Sequence, residues 1–275
     1  MSSESMLNKV PEITAYFWVI KIMATTVGET AADLLNIRLG FGLTYTSIVM
    51  AVLLIVALYF QFRAKRYVPK LYWLAVVLIS VVGTLISDNL ADNLGVPLIV
   101  TTVAFSVALA IAFISWYASE KTLSIHTIFT RKREGFYWLT ILFTFALGTS
   151  GGDFLAEQLK WGYLNSAFIF GAGIAVIALG YYRFKLNPVF AFWAAYVLTR
   201  PLGASLGDLM SQPHSLGGLG MGTVGTSAVF LVTILLLVAY LTISKVDVRP
   251  VAIETHGSLL TDDRENSPSM AEGEM

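Results

Sequence analysis

The fold is decided by a pattern that first occurs in the stretch FWVIKIMATTVGETAAD, residues 17–33. In this stretch an aromatic residue precedes Trp18, Gly28 follows after nine intervening residues, and Asp33 follows after four more. The same spacing recurs in residues 72–88, 137–153 and 192–208, with the triplets Trp73, Gly83 and Asp88; Trp138, Gly148 and Asp153; and Trp193, Gly203 and Asp208. Four copies of one pattern predict a chain built from four structural repeats.

The composition places these repeats in a membrane. Hydrophobic residues make up 56% of the 275 residues, charged residues only 13%, and the mean hydropathy is +0.71. A soluble globular domain carries about 25% charged residues. Basic and acidic residues number 18 each, so a basic nucleic-acid-binding face is excluded. The absence of Cys excludes disulfides, thiolate metal sites and cysteine nucleophiles.

Two apolar runs in each repeat are long enough to cross the hydrocarbon as helices, which needs about 20 residues. The predicted fold is an all-α membrane protein with eight transmembrane helices, arranged as four parallel two-helix repeats. The predicted spans are 12–35, 41–62, 69–92, 96–118, 135–157, 162–184, 188–210 and 222–244. Pro11, Pro69 and Pro188 are expected to mark helix starts. The repeats, 10–65, 66–121, 131–185 and 186–245, form a single transmembrane domain over residues 1–245.

Each predicted repeat crosses the membrane twice, so all four repeats share one orientation. The pseudo-symmetry axis therefore lies along the membrane normal. A ring of four hairpins and a two-plus-two packing both satisfy this symmetry.

Basic residues predict the orientation. The links after even-numbered helices hold Arg63, Lys65, Arg66, Lys70, Lys121, Arg131, Lys132, Arg133, Arg183, Lys185, Lys245 and Arg249, whereas those after odd-numbered helices hold only Arg38 and Lys160. The positive-inside rule then places both termini in the cytoplasm. No cleavable signal peptide is expected, and residues 246–275 are predicted to be a disordered cytoplasmic tail. The aromatic residues beside each motif Trp are expected to form a membrane-interface belt.

Four strings of the repeats resemble a known family. They are residues 25–33 (TTVGETAAD), 87–89 (SDN), 151–153 (GGD) and 200–208 (RPLGASLGD). On these strings the chain resembles a bacterial family of membrane-anchored integral membrane proteins built from a repeat of unknown function, over residues 8–246. The resemblance implies a repeat-based membrane fold in the inner (plasma) membrane of a bacterium, and it carries no established chemistry.

Seven carboxylates lie in or at the outer ends of the odd-numbered helices: Glu29, Asp33, Asp88, Asp92, Asp153, Glu157 and Asp208. Away from the span ends, the only bases in the predicted spans are Lys21 and Arg200, which are expected to act as counter-charges. A charge at the bilayer centre costs at least about 2.5–3.5 kcal/mol, so such residues face an interior or a water-filled cavity. The excess of acids predicts a cation pathway.

The spacing predicts how these acids are arranged. At a rise of 1.5 Å per residue each motif Asp lies about 22 Å above its Trp, so the four share one level in the outer half of the membrane. Two alternatives stay open: the Asp side chains cap helix ends, and Glu29 is either protonated or paired with Lys21 or Arg200. Arg200 is expected to pair with at least one carboxylate, because an unpaired buried guanidinium is too costly.

Hard divalent cations such as Mg²⁺ and Mn²⁺ take oxygen ligands. The predicted metal ligands are Asp33, Asp88, Asp153, Asp208 and Glu29, with hydroxyl and amide oxygens nearby on Thr25, Thr26, Thr84, Ser87, Asn89, Thr149, Ser150 and Ser205. The metal is expected as a substrate, and no resident cofactor is predicted. The expected partners are the lipid bilayer and an inorganic cation, with nucleic acid excluded and a homo-oligomer allowed.

The leading functional hypothesis is therefore a cation transporter or channel for a hard divalent metal, not an enzyme. The alternatives are a metal-dependent membrane-embedded enzyme, a sensory or assembly subunit, a proton relay and a transporter of organic cations.

Overall fold

The computed structural model describes residues 8–248, apart from the side chains of Ile37 and Arg38. It has eight long helices and, within these residues, no strand: α1 Ala15–Asp33, α2 Leu43–Arg63, α3 Pro69–Asp88, α4 Leu98–Glu120, α5 Arg131–Asp153, α6 Gly162–Phe184, α7 Pro188–Ser211 and α8 Gly222–Ser244. The predicted all-helical class is confirmed. Residues 249–275 of the predicted tail lie outside the described residues.

Seven helices of the described part are long and apolar enough to cross a membrane, namely α2 to α8. The remaining long helix, α1, carries Lys21, Glu29 and Asp33 within 19 residues. More than half of the residues of α1 are buried against neighbouring helices. The chain thus has the composition and helix lengths of a multi-pass membrane protein, and α1 with its three charged residues is largely covered by protein.

The odd-numbered helices form a closed inner ring. α1 packs on α3 and α7, and α5 packs on the same two helices from the other side. The even-numbered helices lie outside this ring, where α2 packs on α3, α4 on α5, α6 on α7 and α8 on α1. Each outer helix therefore packs mainly on the inner helix of the next repeat, and the last repeat closes onto the first. The structure has the ring arrangement rather than the two-plus-two packing.

The motif glycines bring the inner helices together. Each of them packs against the residue seven positions after the Trp in the next repeat: Gly28 on Ser80, Gly83 on Phe145, Gly148 on Arg200 and Gly203 on Thr25. A Cβ built on any of these glycines would lie 2.5–2.7 Å from the Cβ of its neighbour. Such a distance is too short for two carbon atoms. The glycines are thus contact points between repeats.

The helix starts agree with the sequence in part. Pro69 and Pro188 occupy the first positions of α3 and α7, as expected. The expectation for Pro11 was wrong, because α1 begins at Ala15 and the Thr14 hydroxyl caps it by accepting a hydrogen bond from the Phe17 amide. Pro11 instead lies buried in the segment that precedes α1.

The aromatic residues of the motif do not form a lipid-facing belt, which corrects the prediction. Tyr72 and Tyr137 are fully buried, Trp73 and Trp138 are nearly so, and the hydroxyls of the two tyrosines are 2.5 Å apart. The inner ring leaves a gap between its helices at this level. The large aromatic rings fill that gap, so they pack inside the protein and do not face lipid.

The residues next to the termini close this end of the bundle, which we call the basic end. The Lys9 ammonium forms a buried ion pair of 2.7 Å with Glu134 and also donates to the Phe62 carbonyl. The Tyr67 hydroxyl donates to Asp247 at 2.6 Å. Asp247 was expected to lie in a disordered tail, but it is buried and hydrogen-bonded, so the ordered fold extends beyond the end of α8.

Tyr67 and Asp247 lie outside the helices that are long enough to cross a membrane. Burial raises the pKa of the Asp247 carboxyl, and the hydrogen bond from Tyr67 opposes that rise. Burial and the bond to Asp247 both raise the pKa of the Tyr67 phenol. The phenol therefore stays protonated as the donor of this pair.

Candidate functional site

Three inner helices change their winding immediately after the motif Asp. Short π-helical segments, Leu34–Arg38, Asn89–Asn93 and Phe154–Gln158, follow Asp33, Asp88 and Asp153. In each segment an amide bonds the carbonyl five residues earlier, as from Leu39 to Leu34 at 3.0 Å. π-turns are rare and concentrate at functional sites. The fourth inner helix, α7, continues past Asp208 to Ser211 without one.

The acids meet at this end of the ring, which we call the acidic end. Carboxylate oxygens of Glu29, Asp153 and Asp208 all lie within 4.8 Å of one another. We call these three residues the carboxylate triad. Asp33 and Asp88 are not part of the triad, although both interact electrostatically with Glu29. Of the five predicted metal ligands, Glu29, Asp153 and Asp208 thus lie closest together. The other two, Asp33 and Asp88, lie near this triad.

Burial increases from the outer acids to Glu29 and Asp208. Asp92 and Glu157 are exposed, and their charges act on Asp33. Asp33, Asp88 and Asp153 are half-buried, whereas Asp208 and Glu29 are only 8% and 7% exposed. All seven predicted acids therefore belong to one electronegative region that leads inward from the acidic end. Whether this region is a cation pathway remains a prediction.

The four motif Asp side chains do not cap helices. Within the described residues, their carboxylates make no hydrogen bond or ion pair with another side chain or with the backbone. The helices of Asp33, Asp88 and Asp153 do not end there either, because the chain continues into a π-turn. The capping alternative is therefore wrong for these three. Close, unneutralised carboxylates repel one another unless a cation or proton is bound.

Arg200 forms the floor of the acidic region. It is fully buried, and its guanidinium lies 3.0 Å from the Glu29 carboxylate in an ion pair. The same terminal nitrogen donates to the hydroxyls of Thr84 and Thr149, the latter at 2.6 Å. The predicted pairing of Arg200 with a carboxylate is confirmed, and the partner of Glu29 is Arg200.

The partners of Arg200 occupy equivalent positions in three repeats. Glu29, Thr84 and Thr149 each follow the motif glycine directly. The fourth equivalent is Ala204, on the helix that carries Arg200 itself. Thr84 and Thr149 were expected to supply oxygen ligands for a cation, but their hydroxyls here accept from the guanidinium. An alignment of the four repeats at the motif glycine identifies these four positions in the sequence.

Lys21 lies below Arg200 and has a different environment. Its ammonium is 4.2 Å from the centre of the Tyr196 ring and 4.4 Å from that of Phe145, and it donates to the Thr199 hydroxyl at 3.3 Å. It makes no ion pair with a described carboxylate, which corrects the expected role of Lys21 as a direct counter-charge to the acids. The two rings stabilise the ammonium through cation–π contacts instead. The sequence pattern gave no signal for this cage.

A separate groove of about 640 Å³ lies near the basic end. It runs between α1, α6 and α7, and most of its lining is apolar, including Ile174, Ile177 and Tyr181. None of the seven acids lines it. The groove is therefore distinct from the acidic region.

The comparison with known families agrees with this repeat architecture. The family model described as Repeat of Unknown Function (DUF347) matches residues 16–67, 71–122, 136–187 and 191–247. The chain belongs to this family. Each matched unit contains one Trp–Gly–Asp motif, one inner helix and the outer helix that follows. The resemblance stated from the sequence is confirmed, while neither the search of curated proteins nor that of solved structures found a match.

Proposed function

We propose that the protein is an integral membrane transporter for a hard divalent cation such as Mn²⁺ or Mg²⁺. In this proposal all eight long helices cross the plasma membrane of a bacterium. Both termini are cytoplasmic, and the acidic end faces outward. The carboxylate triad binds the cation as a transported substrate.

The triad is the observation that carries the proposal. Its three oxygens lie within 4.8 Å of one another, a spacing that one bound ion can bridge. Oxygen ligands from carboxylates suit Mg²⁺ and Mn²⁺. The triad has a formal charge of −3 when ionised, and Arg200 neutralises only one of these charges through Glu29. A bound dication, together with the nearby Arg200, would bring the sum of these charges to zero.

A carrier is favoured over an open channel. Arg200 and Lys21 lie between the acidic region and the basic end, and the buried rings of Tyr72 and Tyr137 lie below them. A cation that enters from the acidic end therefore meets two positive charges and a packed aromatic layer. Passage requires a conformational change that moves Arg200. In this mechanism the Arg200 guanidinium acts as a counter-charge that is fixed to the protein. It pairs with the Glu29 carboxylate between transport cycles.

Neutralising the triad should abolish transport without preventing folding. We expect Asp153→Asn and Glu29→Gln each to weaken Mn²⁺ binding roughly 10- to 100-fold, the equivalent of about 1.5–3 kcal/mol for a lost charged interaction. Asp153→Asn keeps the side-chain shape and lowers the repulsion between acids, so its yield should stay normal. Glu29→Gln also leaves the buried Arg200 without its carboxylate, so its yield should fall. The measurements are calorimetric binding in detergent and flux in liposomes with a divalent-sensitive dye.

A matched control is Glu120→Gln, which removes a carboxylate whose partner is Arg133 at the basic end. This variant should bind and transport like the wild type. Wild-type protein that neither binds nor moves any divalent ion would contradict the proposal and favour a non-transport role, such as a sensory or assembly subunit.

A further inference from the structure

Two buried cations lie beneath the triad, and only one of them has a carboxylate partner. Arg200 pairs with Glu29, whereas Lys21 is held by two aromatic rings and the Thr199 hydroxyl. The two side chains differ chemically. A guanidinium keeps its charge at any physiological pH, but an ammonium can release a proton and become a neutral amine. Lys21 is therefore the cation of this pair whose charge can change.

The two cations are electrostatically coupled. Both cations lie over the Phe145 ring, whose centre is 4.4 Å from the Lys21 nitrogen and 5.4 Å from the Arg200 guanidinium carbon. The Arg200 charge acts directly on Lys21. As long as Glu29 pairs with Arg200, much of that charge is neutralised. A change at Glu29 is thus felt at Lys21.

The other titratable groups around Lys21 are few. Toward the basic end, α7 contributes Tyr196, α5 Tyr137 and α3 Tyr72; toward the acidic end, α7 contributes Arg200 and Asp208, α5 Asp153 and α3 Asp88. α8 carries a single titratable residue, Tyr240, whose ring contacts that of Tyr16. No carboxylate from any of these helices hydrogen-bonds the ammonium within the described residues. Arg200 is therefore the main charge to which Lys21 responds.

We propose that Lys21 is a proton-binding site coupled to the carboxylate triad, so that binding of a divalent cation expels one proton from Lys21. This inference rests on the proposed function. When the cation binds, Glu29 leaves Arg200 to become a ligand, and the guanidinium charge is no longer neutralised. One N–H bond of the Lys21 ammonium then breaks, its electron pair stays on the nitrogen, and the proton leaves. Release of the cation reverses the step, so cation and proton occupy the protein alternately.

Buried hydroxyls between Lys21 and the basic end suit the departure of the proton on that side. Tyr196 and Lys21 each lie three residues after their motif Trp, and the Tyr196 hydroxyl is buried with no hydrogen-bond partner in the described part. One turn closer to the basic end, the hydroxyls of Tyr72 and Tyr137 are 2.5 Å apart. The acids lie in the opposite direction. The carboxylate triad and these buried hydroxyls thus lie on opposite sides of Lys21.

The test is to count the protons released when the purified full-length protein binds Mn²⁺. Protons are measured with a pH-indicator dye in weak buffer, and bound Mn²⁺ is measured in the same titration. We expect Lys21→Met to release about one proton fewer per bound Mn²⁺ than the wild type at a pH where Lys21 is protonated before binding. Lys21→Arg keeps the positive charge near the acids, so the protons released by the carboxylates cancel in the comparison of this variant with the wild type.

Two further variants make the result specific. Lys70→Met removes an exposed lysine on α3 and should release as many protons as the wild type. Lys21→Arg keeps a permanent charge, so it should also lose the extra proton and should bind Mn²⁺ more weakly than the wild type. Lys21→Arg therefore also tests the number of protons released if Lys21→Met does not fold.

The outcomes separate this inference from the proposed function. Equal proton release by the wild type and both Lys21 variants, with Mn²⁺ binding intact, would overturn the coupling and leave the cation site standing. Wild-type protein that binds no divalent ion would overturn both proposals.

Discussion

Replacing Arg200 with Ala is expected to lower the free energy of unfolding by about 3–5 kcal/mol, the cost of breaking a buried ion pair by removing one partner. The change leaves the Glu29 carboxylate without its cation at 3.0 Å and removes the shared donor of Thr84 and Thr149. The triad also loses its nearest positive charge, so repulsion among the acids rises. We therefore expect a strong fall in both the yield of extractable protein and cation flux.

Thermal unfolding in detergent, with yield after membrane extraction, measures this effect. The double variant Arg200→Ala with Glu29→Gln should recover part of the lost stability, because it removes the uncompensated carboxylate as well. Arg200→Lys keeps the charge but not the planar fork that reaches several acceptors, so it should lie between the wild type and Arg200→Ala. Normal yield and stability of Arg200→Ala would show that the ion pair does not hold the inner ring together.

Replacing Gly148 with Ala should have the second-largest effect. The added methyl group would lie 2.5 Å from the Arg200 Cβ and 3.1 Å from the Pro201 ring, where backbone and side chain cannot both move aside. Overpacking of this kind costs about 1–3 kcal/mol or more. Because the contact bears directly on Arg200, cation binding should weaken as well. Thermal unfolding and Mn²⁺ titration of the same preparation check both effects.

The control for this change lies on the same helix. Gly135 is also in α5, and nothing lies within 4 Å of a Cβ built there. Gly135→Ala should therefore leave binding unchanged and stabilise the protein by up to about 1 kcal/mol through helix propensity. Equal melting temperatures for the two Ala variants would contradict the close packing of the motif glycine.

The sequence was sufficient for the architecture of each repeat. The Trp–Gly–Asp spacing predicted four equivalent units, and the apolar runs predicted their helices, because both signals are local to a few turns of chain. The partner of Arg200 could also be narrowed from sequence. A buried guanidinium needs an opposite charge, and the acids were the only candidates available.

How the four repeats pack against one another could not be predicted from the sequence. A closed ring and a two-plus-two packing use the same helices and the same hydropathy, so periodicity cannot separate them. The contacts of Gly28 with Ser80 and of Gly203 with Thr25 decide for the ring, since they join the first repeat to both of its neighbours. The same contacts explain why the motif aromatics are buried inside the ring and do not face lipid.

The composition of the site was likewise decided by tertiary structure. From sequence the four motif Asp were equivalent, and Lys21 was a candidate partner for Glu29. In the folded chain, Glu29 joins Asp153 and Asp208, and Lys21 lies between aromatic rings. The sequence by itself determined which residue types lie at each level of the repeat, because level depends on the helical rise along one chain segment. Only the tertiary structure decided which of them touch, because that depends on how each helix is rotated and packed against helices distant in sequence.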